Sequence, residues 1–445
     1  MQVLEEFFPL RRHKIVTGSA RMEMLMQEPL GRAALRIPCL LVVGTNGKGT
    51  VSLLLEHLLL KAQMRVGVYS SPHFIDPLER IRTCGKMVDT ATASWARDQV
   101  VGWVEKYLPD ATFFEITTAV ALLCFESSQL DFCIIEAGLG GRLDSTNALA
   151  PVLTVLTSVG LDHVQLLGST LDSIAYEKAM ASRRNRPLVT GFLEGEAWIG
   201  VKKALTRTGA YVAETASLNE TAAFSETDNL NPRRRNAVTA LGVLSTLRDL
   251  VCRHSTLPKL KRFTPALAKI LGKDQREALL DELTGIALPG RFDLRVWRNK
   301  VLILDNAHNA AATRALMRQY QESEFGMETA TKKYVLIFGA LLDKDYKESF
   351  RILASNSCGG AVLLFEHENG LQRHHADNLI AEHAKLHPEN VEACASFTTI
   401  TLADLETWLS SQNCSGICPI LITGSFALVG QVMKELQIMP SPAGT

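Results

Sequence analysis

Lys48 sits among three glycines and two threonines in the run Gly44-Thr45-Asn46-Gly47-Lys48-Gly49-Thr50. An apolar stretch at 39–43 precedes this run, and an apolar-periodic stretch from Val51 to Leu60 follows it. The glycines let the backbone turn tightly and aim N–H groups at phosphate oxygens. A helix opening near Thr50 adds its partial positive end. Lys48 can then bridge terminal phosphates, and the Thr50 hydroxyl is placed to reach a magnesium ion. The pattern departs from the common GxxxxGK[ST] loop, because Val42 replaces the first glycine and Gly49 follows the lysine. The hydroxyl therefore arrives one position late, which points away from common GTPases. A glycine turn with an incidental lysine is the competing reading, and the strand and helix signals on either side weigh against it.

Three further stretches end apolar runs with polar clusters. FCIIEAGLGGRLDSTN (132–147) closes a strand on Glu136, and a carboxylate there is costly unless it serves a cation or a donor. Beside a phosphate loop it would coordinate magnesium. TSVGLDHVQLLG (157–168) brings Asp162 and His163 to the same sheet edge, although a loop histidine is as often a packing residue. SSPHFIDPLERIR (70–82) carries Ser70, Ser71, His73, Arg80 and Arg82, which suits a loop closing over an anionic organic substrate. An ordinary proline-bounded loop reads equally well. Glu177 and Lys178 in SIAYEKAMASRR (173–184) read by composition as a solvated helix pair.

Alternating strands and helices must position these groups. The apolar runs predict strands at 39–43, 65–69, 131–135, 152–157 and 187–190, and helices near 50–62, 115–126, 171–182 and 233–249. This alternation implies parallel βαβ units in a doubly wound α/β sheet. A second α/β rhythm follows, with strands at 292–297, 301–304, 334–338, 361–365 and 419–422. The expected organisation is a P-loop N-terminal domain over 1–287 with a parallel-rich central sheet, and a smaller Rossmann-like α/β domain over 288–445. The polar run 216–231 reads as a surface loop.

Composition narrows the class. The 445 residues suggest two or three domains, with 47% hydrophobic and 21% charged residues typical of a globular protein. Lys+Arg and Asp+Glu both total 47, so no net field favours nucleic acid or membrane. Nine scattered cysteines, with Cys414 and Cys418 lacking a second pair for zinc, fit reduced thiols in a cytoplasmic protein. The N-terminus has early acids and no long apolar run, so neither a secretory signal nor a membrane span is expected.

The motifs GTNGKGT, SSPHFIDPLERIR, FFEITTAVALL, EAGLGGRLDSTN, GLDHVQLLG and YEKA occur in one order along the chain. PGRFDL (289–294), LDNAHNAA (304–311), IFGALLDKDY (337–346) and ITGSFALVG (422–430) follow them. Together the set resembles the folylpolyglutamate synthase / dihydrofolate synthase family of the Mur ligase superfamily. The resemblance covers roughly residues 15–435. It implies an ATP- and Mg2+-dependent amide ligase that adds L-glutamate to dihydropteroate or reduced folates through an acyl phosphate. Residues Gly44 to Thr50 would then hold ATP phosphates, with Lys48 catalytic. Thr50, Ser71 and Glu136 resemble ligands of a first magnesium, and His163 a ligand of a second. Lys178, also expected to be catalytic, matches a lysine that the family carbamylates. Asn236 resembles the adenine contact, Arg291 a phosphate contact and Asp305 the ribose contact. His308, also expected to be catalytic, and Ser425 match the glutamate site, while Arg82, Phe114 and Glu115 face the pterin-bearing substrate.

Three departures stand out. Asn306 and Ala310 appear where the family shows glycine and proline, and asparagine tolerates unusual backbone angles. Met180 replaces a glycine after the YEKA motif. Pro232-Arg233 replaces a common His-Gln before Asn236. The alternatives are a Mur-type ligase acting on another anionic acceptor, and a nucleotide-binding module of the same fold without turnover. A monomer acting on small molecules, without nucleic acid, is expected.

Overall fold

The apolar run Cys39–Val43 forms a strand (β1) that is buried throughout, and its alternation explains the layers on either side. Cys39, Leu41 and Val43 join one apolar cluster, while Leu40 and Val42 join another. A strand covered on both faces reads as continuous apolar sequence, the mark of a parallel sheet between helices. The computed structural model describes residue 4 and residues 18–27, 37–213, 231–253, 257–328, 333–386, 397–412 and 418–438. Residues 216–230 of the polar run, and Cys414, lie outside the described residues.

The chain divides into two compact units, Met1–Ile286 and Ala287–Thr445. In the first, eight strands follow in chain order: β1, β2 (Val66–Tyr69), β3 (Ile81–Thr83), β4 (Lys86–Met87), β5 (Phe132–Glu136), β6 (Leu153–Leu156), β7 (Pro187–Thr190) and β8 (Tyr211–Val212). Their sheet order is β4-β3-β2-β5-β1-β6-β7-β8. All neighbours pair in parallel except β2–β3 and β3–β4, which form an antiparallel edge. That edge was not foreseen, because its strands are too short and polar to show as apolar runs.

One helix layer holds α1 (Lys48–Lys61) and the long Pro232–Arg253 helix. The other holds Thr90–Tyr107, Phe113–Ser127, Leu171–Ala179 and Gly195–Thr208. Each fully buried aliphatic side chain here contributes roughly 1.5–3 kcal/mol relative to exposure.

The second unit carries β9 (Asp293–Trp297), β10 (Lys300–Leu304), β11 (Tyr334–Phe338), β12 (Ser357–Leu364), β13 (Phe397–Thr401) and β14 (Ile420–Thr423). Its sheet order is β13-β12-β11-β14-β10-β9, parallel except for the antiparallel β9 edge. No described helix is long and apolar enough to cross a membrane.

Candidate active site

Strands β2, β5, β1 and β6 are consecutive neighbours, and each one's carboxyl end opens into one of the chemical motifs. The order places the Ser70–Arg82 loop, Glu136, the phosphate loop and the Thr157–His163 loop along one sheet edge. Ligands in such folds bind outside the carboxyl ends of the strands.

Gly44 and Gly47 adopt φ of 154° and 83°. A Cβ at Gly44 would lie 2.0 Å from Thr157 Oγ1, and one at Gly47 would lie 2.6 Å from Asn236 Oδ1. Only glycine fits both positions. The second approach brings Asn236, on the first turn of the Pro232–Arg253 helix, against the phosphate loop. α1 begins at Lys48 rather than near Thr50, so Lys48, Gly49 and Thr50 form its first turn.

Thr157 and Ser158 fasten this loop, a role the sequence did not reveal. Thr157 Oγ1 donates to Asn46 O at 2.7 Å, and Asn46 N donates to Ser158 Oγ at 2.9 Å. Thr45 N donates to Ser158 O at 2.9 Å, and Thr45 Oγ1 donates to Gly160 O at 3.1 Å.

Two lysines meet at one carbonyl. Lys48 Nζ donates to Gly44 O at 3.1 Å and to Thr45 O at 3.3 Å, while Lys178 Nζ donates to Gly44 O at 3.0 Å. Lys178 is buried, whereas Glu177 pairs with Arg142 at 2.9 Å. The solvated Glu177–Lys178 pair suggested by composition is therefore absent. The backbone joins in, since Arg142 N donates to Glu177 O at 2.8 Å. Met180 is right-handed with φ −63°, so glycine is not required there.

Glu136 is buried at the end of β5, with its neighbour in register being Val42 of β1. Ser71 N donates to Glu136 Oε2 at 3.4 Å, which brings Ser71 and Glu136 together. Thr50 is also buried. His163 adopts φ 49°; its N–H donates to Asp162 Oδ1 at 2.9 Å, and its Nε2 lies 3.8 Å from that oxygen. No three of His, Cys, Asp and Glu gather into a metal cage among the described residues. A buried carboxylate with a serine at its side is an oxygen-donor pair of the kind that suits Mg2+, which keeps waters and shares its shell with phosphates.

In the Ser70–Arg82 loop and the helix facing it, the residues expected on the pterin side have partners within the protein. Arg82 Nε donates to buried Glu56 of α1 at 2.9 Å, and its Nη2 donates to Gly85 O at 2.7 Å. Arg82 thus ties the β3–β4 hairpin to α1. Glu115 is likewise engaged. It closes a capping box with Thr112 at the start of Phe113–Ser127 and pairs with Arg21 at 3.1 Å.

Arg80, two residues before Arg82, is buried and donates from Nε to His73 Nδ1 at 2.9 Å. Burial pulls its pKa down, opposed by Tyr69, Glu136 and Glu79. It nonetheless remains charged, as arginine does in proteins. The Phe114 ring lies 5.8 Å from that of Tyr69 and packs over Gly138, where a Cβ would meet it at 2.8 Å.

In the second unit Asp305 follows β10 and accepts Phe292 N at 2.7 Å and Ala307 N at 2.8 Å. Asn306 is not among the positive-φ residues, so the tolerance invoked for asparagine is not needed. Ser425 caps the Phe426–Glu435 helix, accepting from Leu428 N at 3.0 Å. His308 lies 6.1 Å from the Phe426 ring, and the Arg291 guanidinium carbon lies 5.7 Å from it. Within this unit the structure gathers Arg291, Asp305, His308 and Ser425 at the ends of β10 and β14.

No protein-family model matches the chain. The dihydrofolate synthase/folylpolyglutamate synthase of Bacillus subtilis is 33% identical over 355 residues, covering 76% of this chain and 78% of that protein. The probable bifunctional folylpolyglutamate synthase/dihydropteroate synthase of Haloferax volcanii is 29% identical over 352 residues and 77% of this chain, which spans 40% of that relative. The solved structure of a bifunctional folylpolyglutamate synthase/dihydrofolate synthase from Yersinia pestis, complexed with AMPPNP and Mn, has a TM-score of 0.74 at 26% identity. That match covers 98% of this chain and 100% of the other. With its glycine-rich loop, strand-end carboxylate and Ser70–Arg82 loop on adjoining strands, the chain belongs to the dihydrofolate synthase/folylpolyglutamate synthase family.

Proposed function

We propose that the protein is an ATP-dependent ligase that joins L-glutamate to dihydropteroate, to reduced folates, or to both. The observation that carries this reading is the convergence of four motifs on the carboxyl ends of β2, β5, β1 and β6. A carboxylate is a poor acyl donor because its charge resists an amine. Its oxygen attacks the γ-phosphorus of ATP, ADP leaves, and an acyl phosphate results. The glutamate amine then adds to the acyl carbon and loses a proton, and the tetrahedral adduct collapses to amide and phosphate. Positioning and charge neutralisation supply most of the acceleration.

Lys48 and the amides of Gly44 to Thr50 hold the phosphates, and Asn236 meets the adenine. Thr50, Ser71 and Glu136 would hold one Mg2+ and His163 a second; when bound, these ions neutralise phosphate charge and polarise the transferring group. Lys178 is a carbamylation candidate, supported by the shared Gly44 carbonyl: two ammonium groups converging there repel, and carbamylation would make one of them anionic. In the second unit Arg291 and Asp305 are assigned the ATP phosphate and ribose, and His308 and Ser425 the glutamate. Phe114, stacked near Tyr69, is the aromatic wall for the pterin. Arg82 and Glu115 are assigned to the same pterin-bearing substrate, Arg82 held by Glu56 and Glu115 by its capping box.

The reading includes a monomer in the cytoplasm; the free thiols of all described cysteines support the compartment. The test is phosphate release with ATP, Mg2+ and L-glutamate, comparing dihydropteroate with tetrahydrofolate. Turnover with at least one is expected. Turnover of a murein precursor with neither folate-type acceptor overturns the reading.

A further inference from the structure

The end of β5 and the helix that carries Lys178 meet main chain to main chain. β5 ends on Glu136, and the glycine-rich turn that follows reaches Arg142, whose N–H donates to Glu177 O at 2.8 Å. A Cβ at Gly141 would lie 2.5 Å from Lys178 O and 3.0 Å from both Glu177 O and Lys178 Cα. Those atoms are backbone, so no change of rotamer could make room for a side chain at 141. Gly141 is not among the positive-φ residues, which leaves close approach as the reason for its glycine.

Side chains reinforce the contact. Arg142 Nε donates to Glu177 Oε2 at 3.0 Å, and Nη2 donates to Oε1 at 2.9 Å. This two-point geometry fixes orientation as well as distance. The turn is itself braced, because Leu139 N donates to buried Asp144 at 2.7 Å and Asn147 Nδ2 donates to Arg142 O at 2.8 Å. The Leu171–Ala179 helix is seated by a second element as well. A Cβ at Gly200, on the Gly195–Thr208 helix, would lie 1.9 Å from Asp172 O and 2.8 Å from Tyr176 N. Lys178 stands in the last turn of the helix so seated, with Nζ 3.0 Å from Gly44 O.

We propose that Gly141 and the Arg142–Glu177 pair are positioning residues for Lys178. They lock the last turn of its helix to the end of β5, so that the amine meets the phosphate loop at a fixed distance from Glu136. GLGGR and YEKA, two separate signals along the chain, then form one mechanical unit. The inference rests on the ligase reading for the use made of Lys178, and on these contacts for its placement.

The experiment is reductive dimethylation of the full-length protein with formaldehyde and cyanoborohydride in bicarbonate-free buffer. The modification of each lysine is read by peptide mass spectrometry. Lys48 is the internal reference, since it donates to the same carbonyl and also to Thr45 O. A general loss of stability exposes both lysines and leaves their ratio unchanged, whereas loss of positioning exposes Lys178 alone. Glu177→Gln and Arg142→Gln should each raise the Lys178-to-Lys48 ratio about two- to fivefold, the size of a partly exposed ion pair. The double variant should match the larger single change, because the two side chains act as one unit. Gly141→Ala should raise the ratio further and lower kcat by on the order of tenfold to a hundredfold, as a small misplacement of a site group does. If Gly141→Ala fails to fold, the pair variants carry the test.

An unchanged ratio in both single variants overturns the proposal, as do fully additive effects in the double variant. A folded Gly141→Ala protein with wild-type ratio and kcat overturns it too. If no folate-type acceptor turns over in the wild type while the ratio moves as expected, the ligase reading fails and the positioning of Lys178 stands.

Discussion

In the first unit the buried charges Glu136, Lys178 and Arg80 are turned toward the loops that carry the chemistry. In the second, Asp305 and Ser425 spend their oxygens on backbone amides. A charged group left facing a loop carbonyl or a histidine is set up to change partners when an anion or cation arrives. A group whose oxygens already accept backbone amides acts first as architecture. The contrast predicts that substitutions in the first unit will remove activity with little loss of stability, and that those in the second will remove stability first.

The largest effect should come from Lys48→Ala and Glu136→Ala. Each should lower kcat by roughly 10²–10³-fold or more, the size of losing one preorganised charge partner of the transition state. Circular dichroism and thermal melts should remain close to wild type. Near-normal rates in either variant would break the comparison on its catalytic side.

Asp305→Asn is the counterpart in the second unit. It replaces an oxygen accepting a backbone N–H with a donor, and loss of such a buried bond is worth about 1–3 kcal/mol. Chemical denaturation should show that loss, with any kinetic change no larger than nucleotide binding explains. An unaltered midpoint with a collapsed rate would move Asp305 into the same class as Glu136.

The sequence revealed the contrast unevenly. Strands such as Cys39–Val43 and Tyr334–Phe338 were legible because burial on both faces leaves no polar interruption. The β3–β4 hairpin and the Thr90–Tyr107 and Gly195–Thr208 helices were not, since their exposed faces break up the apolar signal. β12 begins at Ser357 rather than 361 because Cys358, Gly359 and Gly360 carry no strand signal.

In the site, Lys48 and Glu136 stood out by type and position. Thr157 and Ser158 did not, because a hydroxyl at a strand end looks the same whether it meets water or a loop carbonyl. Arg80 and Arg82 look equivalent in ERIR. One ends the Pro77–Arg80 turn and the other sits in β3, so their side chains find different partners.

Thr157→Val tests the fastening directly, because it keeps the shape and removes the hydroxyl that donates to Asn46 O. A hydrogen bond of this kind contributes about 0.5–1.5 kcal/mol, so ATP affinity measured by calorimetry should fall by roughly three- to tenfold. Ser425→Ala is its mirror in the second unit. Loss of the helix cap should cost about 1 kcal/mol in denaturation. A rise in the glutamate KM beyond that loss would mark the hydroxyl as serving substrate as well as helix.

The smallest effect concerns Glu56, which joins α1 to the β3–β4 hairpin through Arg82. Burial raises its pKa above 4.5, and the Arg82 charge and hydrogen bond, the Gly85 amide and His57 only partly offset this. The folded state therefore holds the proton more tightly than the unfolded state. The contribution to stability is fully present below the unfolded pKa near 4.5 and is lost as pH rises through the folded value. Glu56→Gln cannot titrate, so the wild-type-minus-variant difference in unfolding free energy should grow more favourable to the wild type as pH falls from neutral toward 4.5. A difference that is flat across that window, or one that grows as pH rises, would mean that Arg82 holds Glu56 ionised more firmly than burial resists it. The pair would then belong with the neutralised charges of the catalytic edge, and the division between active and architectural groups would run inside the first unit as well as between the two.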